Sequence, residues 1–132
     1  MKTKTFLLIV MLLIVTLLIA LPLYQSNMGP HDGVVKKAGE YYIEMKNTDP
    51  TIYAFLLNKQ LKTISNEGIL CEASFSFHDN TITKEVLLPY NKDGFYIESG
   101  KNKFSFCHIY FNVYGITVSA EFENENFSVD KK

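Results

Sequence analysis

From Val34 onward, apolar and polar side chains alternate in short runs separated by turn residues. In "YYIEMK" (41–46), Tyr41, Ile43 and Met45 fall on one face, and Tyr42, Glu44 and Lys46 on the other. "NTDP" reads as a turn and "TIYAFLL" (51–57) as the next apolar run. "NKQLKTISNEG" reads as a loop with a short extended piece from Leu61 to Ile64. In "ILCEASFSF" (69–77), Cys71, Ala73, Phe75 and Phe77 point inward while Glu72, Ser74 and Ser76 point outward. "TITKEVLLPY" (81–90) follows as one strand, with Pro89 marking its end or an edge, since proline has no N–H for a ladder. After the turn "NKDG" comes "FYIES", and then "KFSFCHIYFNV" and "ITVSAEFE" flank Tyr114-Gly115, the spacing of a two-residue hairpin loop. Period-two alternation with one wet face belongs to antiparallel sheets. The pattern predicts an all-β domain over 34–123 with about seven short strands and no amphipathic helix. An immunoglobulin-like antiparallel β-sandwich of about 100 residues buries those alternate side chains. A small closed barrel is the alternative.

The start of the chain follows a different pattern. Residues 6–23, "FLLIVMLLIVTLLIALPL", are apolar except for Thr16 and carry no charge. As a helix they rise about 27 Å, close to the roughly 30 Å of a bilayer's hydrocarbon. Lys2 and Lys4 precede them, so the positive-inside rule keeps residues 1–5 in the cytoplasm and sends the rest across. Residues 6–24 are therefore expected to be a single-pass transmembrane anchor or a signal segment. A cleaved signal has a shorter apolar core and a small-x-small cleavage site. Here "LPLYQSNMG" offers only Ser26, with bulky Tyr24 two residues before it. No Cys follows the run, which excludes a lipoprotein anchor. On either reading the domain lies in the periplasm or another extracytoplasmic space. Residues 25–33 read as a polar tether, and 124–132 as a frayed tail.

Composition narrows the function. The formal net charge is -1, and the chain has no Arg, the side chain best suited to phosphate and guanine contacts. Nucleic acid is not an expected partner. The chain also lacks a Ser/His/Asp elbow, an HExxH helix, a phosphate-cradling glycine loop and a dinucleotide fingerprint. With three scattered histidines, the reading is not an enzyme.

Three groups of residues could carry chemistry. Cys71 and Cys107 both fall on inward faces, so an intersheet disulfide and two separate buried thiols are both open. Cys107 and His108, being adjacent on a strand, point to opposite faces and cannot hold one ion. His108 instead shares an outer face with Phe106 and Tyr110, a candidate interaction face. Met28, His31 and Asp32 cluster just beyond the apolar run, and thioether with imidazole suits copper. Met45 is assigned to packing.

Several segments carry a resemblance: His31 and Gly33; Ala38, Gly39, Tyr41, Ile43, Glu44 and Met45; Ile64 to Ile69; and Gly115 to Ala120. Over roughly residues 31–123 they resemble a small exported domain of Bacteroidetes-type bacteria. That domain is found alone or in front of the periplasmic adaptor of heavy-metal efflux pumps. The resemblance implies a periplasmic β-sandwich associated with export of copper, silver, zinc or cobalt. This chain departs from it in having "HDG" where "HGG" is more usual, in the two cysteines, and in having no adaptor after the domain. The expected function is a membrane-anchored accessory of heavy-metal efflux, with copper or zinc at His31, Met28 and Asp32 and an efflux pump or other envelope protein as partner. The alternative is a protein-interaction or assembly module for a membrane complex, of the kind that accompanies cytochrome oxidase.

Overall fold

The computed structural model describes residues 28–98 and 103–124. The expected cytoplasmic N-terminus (1–5), the anchor (6–24) and most of the tail lie outside them. Nine strands form: β1 (Val34–Ala38), β2 (Tyr41–Asn47), β3 (Thr51–Leu57), β4 (Ile69–Ser76), β5 (Ile82–Val86), β6 (Leu88–Tyr90), β7 (Gly94–Glu98), β8 (Phe106–Val113) and β9 (Ile116–Glu123). They make two antiparallel sheets, ordered β1-β2-β3-β7-β6 and β5-β4-β8-β9, packed as a sandwich. Among the described residues no helix is long and apolar enough to cross a membrane.

The core follows the alternation. Ile43 and Met45 of β2, Ile52, Ala54 and Leu56 of β3, and Phe95 of β7 meet Cys71, Ala73 and Phe75 of β4 and Cys107, Ile109 and Phe111 of β8. Tyr114 and Gly115 both adopt left-handed φ, 53° and 92°, as the twist-matched two-residue hairpin turn demands. That turn brings Val113 opposite Ile116.

The count of strands differs from the pattern for two reasons. "VVKKA" forms a strand of its own on β2. The run 81–90, expected as a single strand, divides at Leu87. β5 pairs with β4 in one sheet, and β6 pairs with β7 in the other. Leu87 is buried and its N–H donates to Cys71 O at 2.9 Å, so it is the pivot where the chain changes sheets. Alternation alone does not reveal such a change, because both halves keep period two. Pro89 lies on β6, an edge strand, where a missing N–H is tolerated.

Of the two readings of the cysteines, the structure has the separate buried thiols. Both cysteines are free and buried. They lie on neighbouring strands of one sheet, with Cys71 opposite Phe111 and Cys107 opposite Phe75. A four-residue offset separates them by roughly 13 Å along the strands, well beyond the about 7 Å between Cα atoms that a disulfide spans.

Burial raises the Cys107 thiol from an ordinary 9.0 to about 12. Burial, with the Cys107 and Glu72 charges, pushes Cys71 well above 9.0. A folded thiol that titrates above its unfolded value favours the fold below about pH 9 and loses that contribution as pH rises towards 12. The expected result is that a thiol-reactive disulfide reagent at pH 8 modifies neither cysteine of the folded chain but both in urea. Rapid modification of the folded chain would contradict the burial.

Candidate functional site

Of the segment expected as a tether, residues 28–33 are described and belong to the domain. Residues 30–32 form a three-residue hairpin loop closed by Gly29 and Gly33: Asp32 N–H donates to Gly29 O at 3.0 Å, and Gly29 N–H to Gly33 O at 2.9 Å. Asp32 takes the left-handed position, φ 64°, that closes such loops. Asp tolerates it better than most residues because its short side chain bonds locally. Met28 bridges to Val34 in antiparallel fashion.

What holds this loop is Glu44, on the outer face of β2 and yet 0% exposed. Its Oε2 accepts the backbone N–H groups of His31 (2.9 Å) and Gly33 (2.7 Å), and its Oε1 lies 2.7 Å from His31 Nδ1. A buried carboxylate is tolerable only when its oxygens are satisfied. Here three donors from one loop satisfy them. The glycines make the approach possible. A Cβ at Gly29 would collide with the Glu44 carboxylate, and one at Gly33 would sit 2.5 Å from Met45 O. The His-x-Gly and Glu elements of the resemblance are thus two halves of one clasp.

The His31 imidazole lies flat on Phe55 of β3, ring centres 3.6 Å apart and planes within 6°. Its Nε2 is 3.5 Å from Thr63 Oγ1. Phe55 is itself buried on the sheet's outer side, lying across Gly94, where a Cβ would come within 2.6 Å of its ring. Next to the His31–Phe55 pair, Tyr53 and Tyr90 meet at 4.8 Å and 61°. These rings, with Asp32, Lys46 and Thr48, line an open hollow of about 390 Å³.

Met28 and His31 face different hollows, and Asp32 lines both. Met28, 55% exposed, lines a cleft with Lys36, Asn47 and Phe122, while His31 lines the hollow. One ring nitrogen of His31 is engaged by Glu44. Among the described residues no three His, Cys, Asp or Glu side chains are grouped to hold an ion.

Phe106, His108 and Tyr110 do share the outer face of the four-stranded sheet. His108 stacks on Tyr110, centres 4.4 Å apart and planes within 9°, and its Nε2 lies 3.1 Å from Ser119 Oγ. In the register of this face, Phe106 is one strand from Ser76, which faces Ile82, and Tyr110 is one strand from Glu72, which faces Val86. Sequence reasoning missed Phe55, Tyr53, Tyr90 and Thr63, whose apolar or neutral character gave no signal beyond strand propensity. Glu44 entered only through the resemblance. Compared with known proteins, the chain matches no family model, no curated protein and no solved structure.

Proposed function

We propose that this chain is a non-enzymatic docking module held outside the cytoplasmic membrane by residues 6–24, with an efflux pump of the kind the resemblance implies as its partner. The strand order supports reading the domain as immunoglobulin-like. β2, β3, β7 and β6 take the places of strands A, B, E and D, β5, β4, β8 and β9 those of C′, C, F and G, and β1 is an addition. The observation that carries the docking role is the outer face of the four-stranded sheet. There Phe106 is 44% exposed and Ile82 and Val86 63% each, beside the His108–Tyr110 stack. Clustered exposed apolar side chains mark interaction surfaces, and aromatic rings supply much of the binding energy at such surfaces. Metal enters this reading through the pump and not through the sandwich, since His31 serves the clasp.

The test places a photo-crosslinking amino acid at position 106 of the full chain in its own membrane. The expected result is a crosslink to a subunit of a metal-efflux complex, lost in Ile82→Glu and kept in His31→Ala. Crosslinks to lipid alone, or a yield unchanged by Ile82→Glu, would remove the docking role. Stoichiometric retention of Cu(I) or Zn(II) by the full chain in equilibrium dialysis, abolished by His31→Ala, would return metal to the sandwich itself.

A further inference from the structure

The hollow on the opposite outer face, against the five-stranded sheet, shares His31 and Asp32 with the clasped loop and lies apart from the docking face. We infer that it is a binding site for a neutral sugar ring, a hexopyranose unit of an envelope glycan. The inference starts from rigidity. Glu44 fixes His31 through two contacts, of 2.9 and 2.7 Å, and Gly33 of the same loop through a third of 2.7 Å, and the imidazole is laid parallel on Phe55. One face of the imidazole is taken by Phe55, and the ring borders the hollow, so it supplies a flat floor that binding does not have to order. Tyr53 and Tyr90, set at 61° to one another, form the wall.

The rim decides the class of guest. Asp32 only accepts hydrogen bonds when ionised, Lys46 only donates, and Thr48 does either. No ion pair joins Asp32 to Lys46 among the described residues, so both heads are left to a guest. An aromatic guest would be satisfied by the rings and would leave the rim unused. A cationic guest would meet the Lys46 ammonium, and an anionic one the Asp32 carboxylate. A pyranose has an apolar C–H face for the floor and a perimeter of hydroxyls that both donate and accept. It matches a site lined by four rings, His31, Tyr53, Phe55 and Tyr90, with a few placed polar groups at the rim. The volume of about 390 Å³ leaves room for more than one ring.

The experiment is isothermal titration calorimetry of the full chain in a detergent without a sugar headgroup. The probes are the β-1,4 tetramer of N-acetylglucosamine, cellotetraose and a proline-rich decapeptide, the last because aromatic-walled grooves also take such peptides. The expected result is saturable binding of at least one tetrasaccharide on the order of 1 mM or tighter. Tyr53→Ala and Tyr90→Ala should each weaken it about tenfold, and Asp32→Asn by several-fold, while Lys59→Ala leaves it unchanged. Tyr90 is an edge residue, so its variant keeps the fold, and circular dichroism checks this. Binding of the acetylated sugar alone assigns the site to amino-sugar glycans such as the cell wall's, and binding of both to plain pyranose chains. No saturable heat with either sugar, binding of the peptide alone, or sugar binding indifferent to both tyrosine substitutions overturns the inference.

Discussion

Phe111→Ala should remove about 4 kcal/mol of stability, the middle of the range for deleting a buried ring. Phe111 is fully buried on β8. Its ring centre lies 5.6 Å from that of Phe95, which belongs to the other sheet, in an edge-on arrangement. The pair therefore ties the two layers together directly. Its register neighbours, Cys71 and Val118, are too small to swing into the space, so a cavity remains and its lining loses dispersion contacts. Phe106→Ala, on the same strand but of opposite parity and 44% exposed, should change stability by no more than about 0.5 kcal/mol. Urea unfolding of the two variants measures the contrast. A loss below about 1.5 kcal/mol for Phe111→Ala would mean that the sheets are not held together by this layer.

That contrast between positions 106 and 111 is a period-two argument, and period two is what the chain displays most openly. The inward set on β4 and β8 follows from it, while the hairpin at Tyr114-Gly115 follows from loop spacing and the edge position of Pro89 from its missing N–H. Three features follow from none of these. At Leu87 the chain leaves one sheet for the other without breaking alternation, so the run 81–90 looks like one strand. At Phe55 and Leu57, apolar side chains on the outer face are buried, because the 29–33 loop and the bridge between Leu57 and Thr63 cover a face that alternation assigns to water. At Asn124, expected in the tail, the side chain is buried and its amide donates to Phe104 O at 2.9 Å. Each is settled by a second piece of chain arriving from far away in sequence, and a local pattern carries no trace of it. The candidate site is the extreme case. His31 was legible as an unusual residue, but its role depends on Glu44, thirteen positions on, and on an aromatic of the next strand.

Glu44→Ala should accordingly lower stability by about 3 kcal/mol, large for a residue on the outer face of a sheet. The substitution strands three donors that now point at one carboxylate, the backbone N–H groups of His31 and Gly33 and the ring at Nδ1. An unmet buried donor costs about 1–3 kcal/mol. The total stays below three times that figure because the 29–33 loop can lift off and give its groups to water, and the lost contact with Phe55 then adds to the deficit. Glu44→Gln should be milder, about 1 kcal/mol. Its amide oxygen can keep both backbone donors, and its NH₂ can donate to Nδ1 if the imidazole carries its hydrogen on Nε2, towards Thr63. Hydrogen exchange gives the local readout. The amides of His31 and Gly33 should lose protection most in the alanine variant and least in the glutamine variant, while Ile109 and Phe111 exchange only with global unfolding. If Glu44→Ala unfolds within about 0.5 kcal/mol of the parent, with those two amides still protected, then something other than this carboxylate holds the loop on the sheet. The floor of the hollow would then have lost the support from which its stiffness was argued.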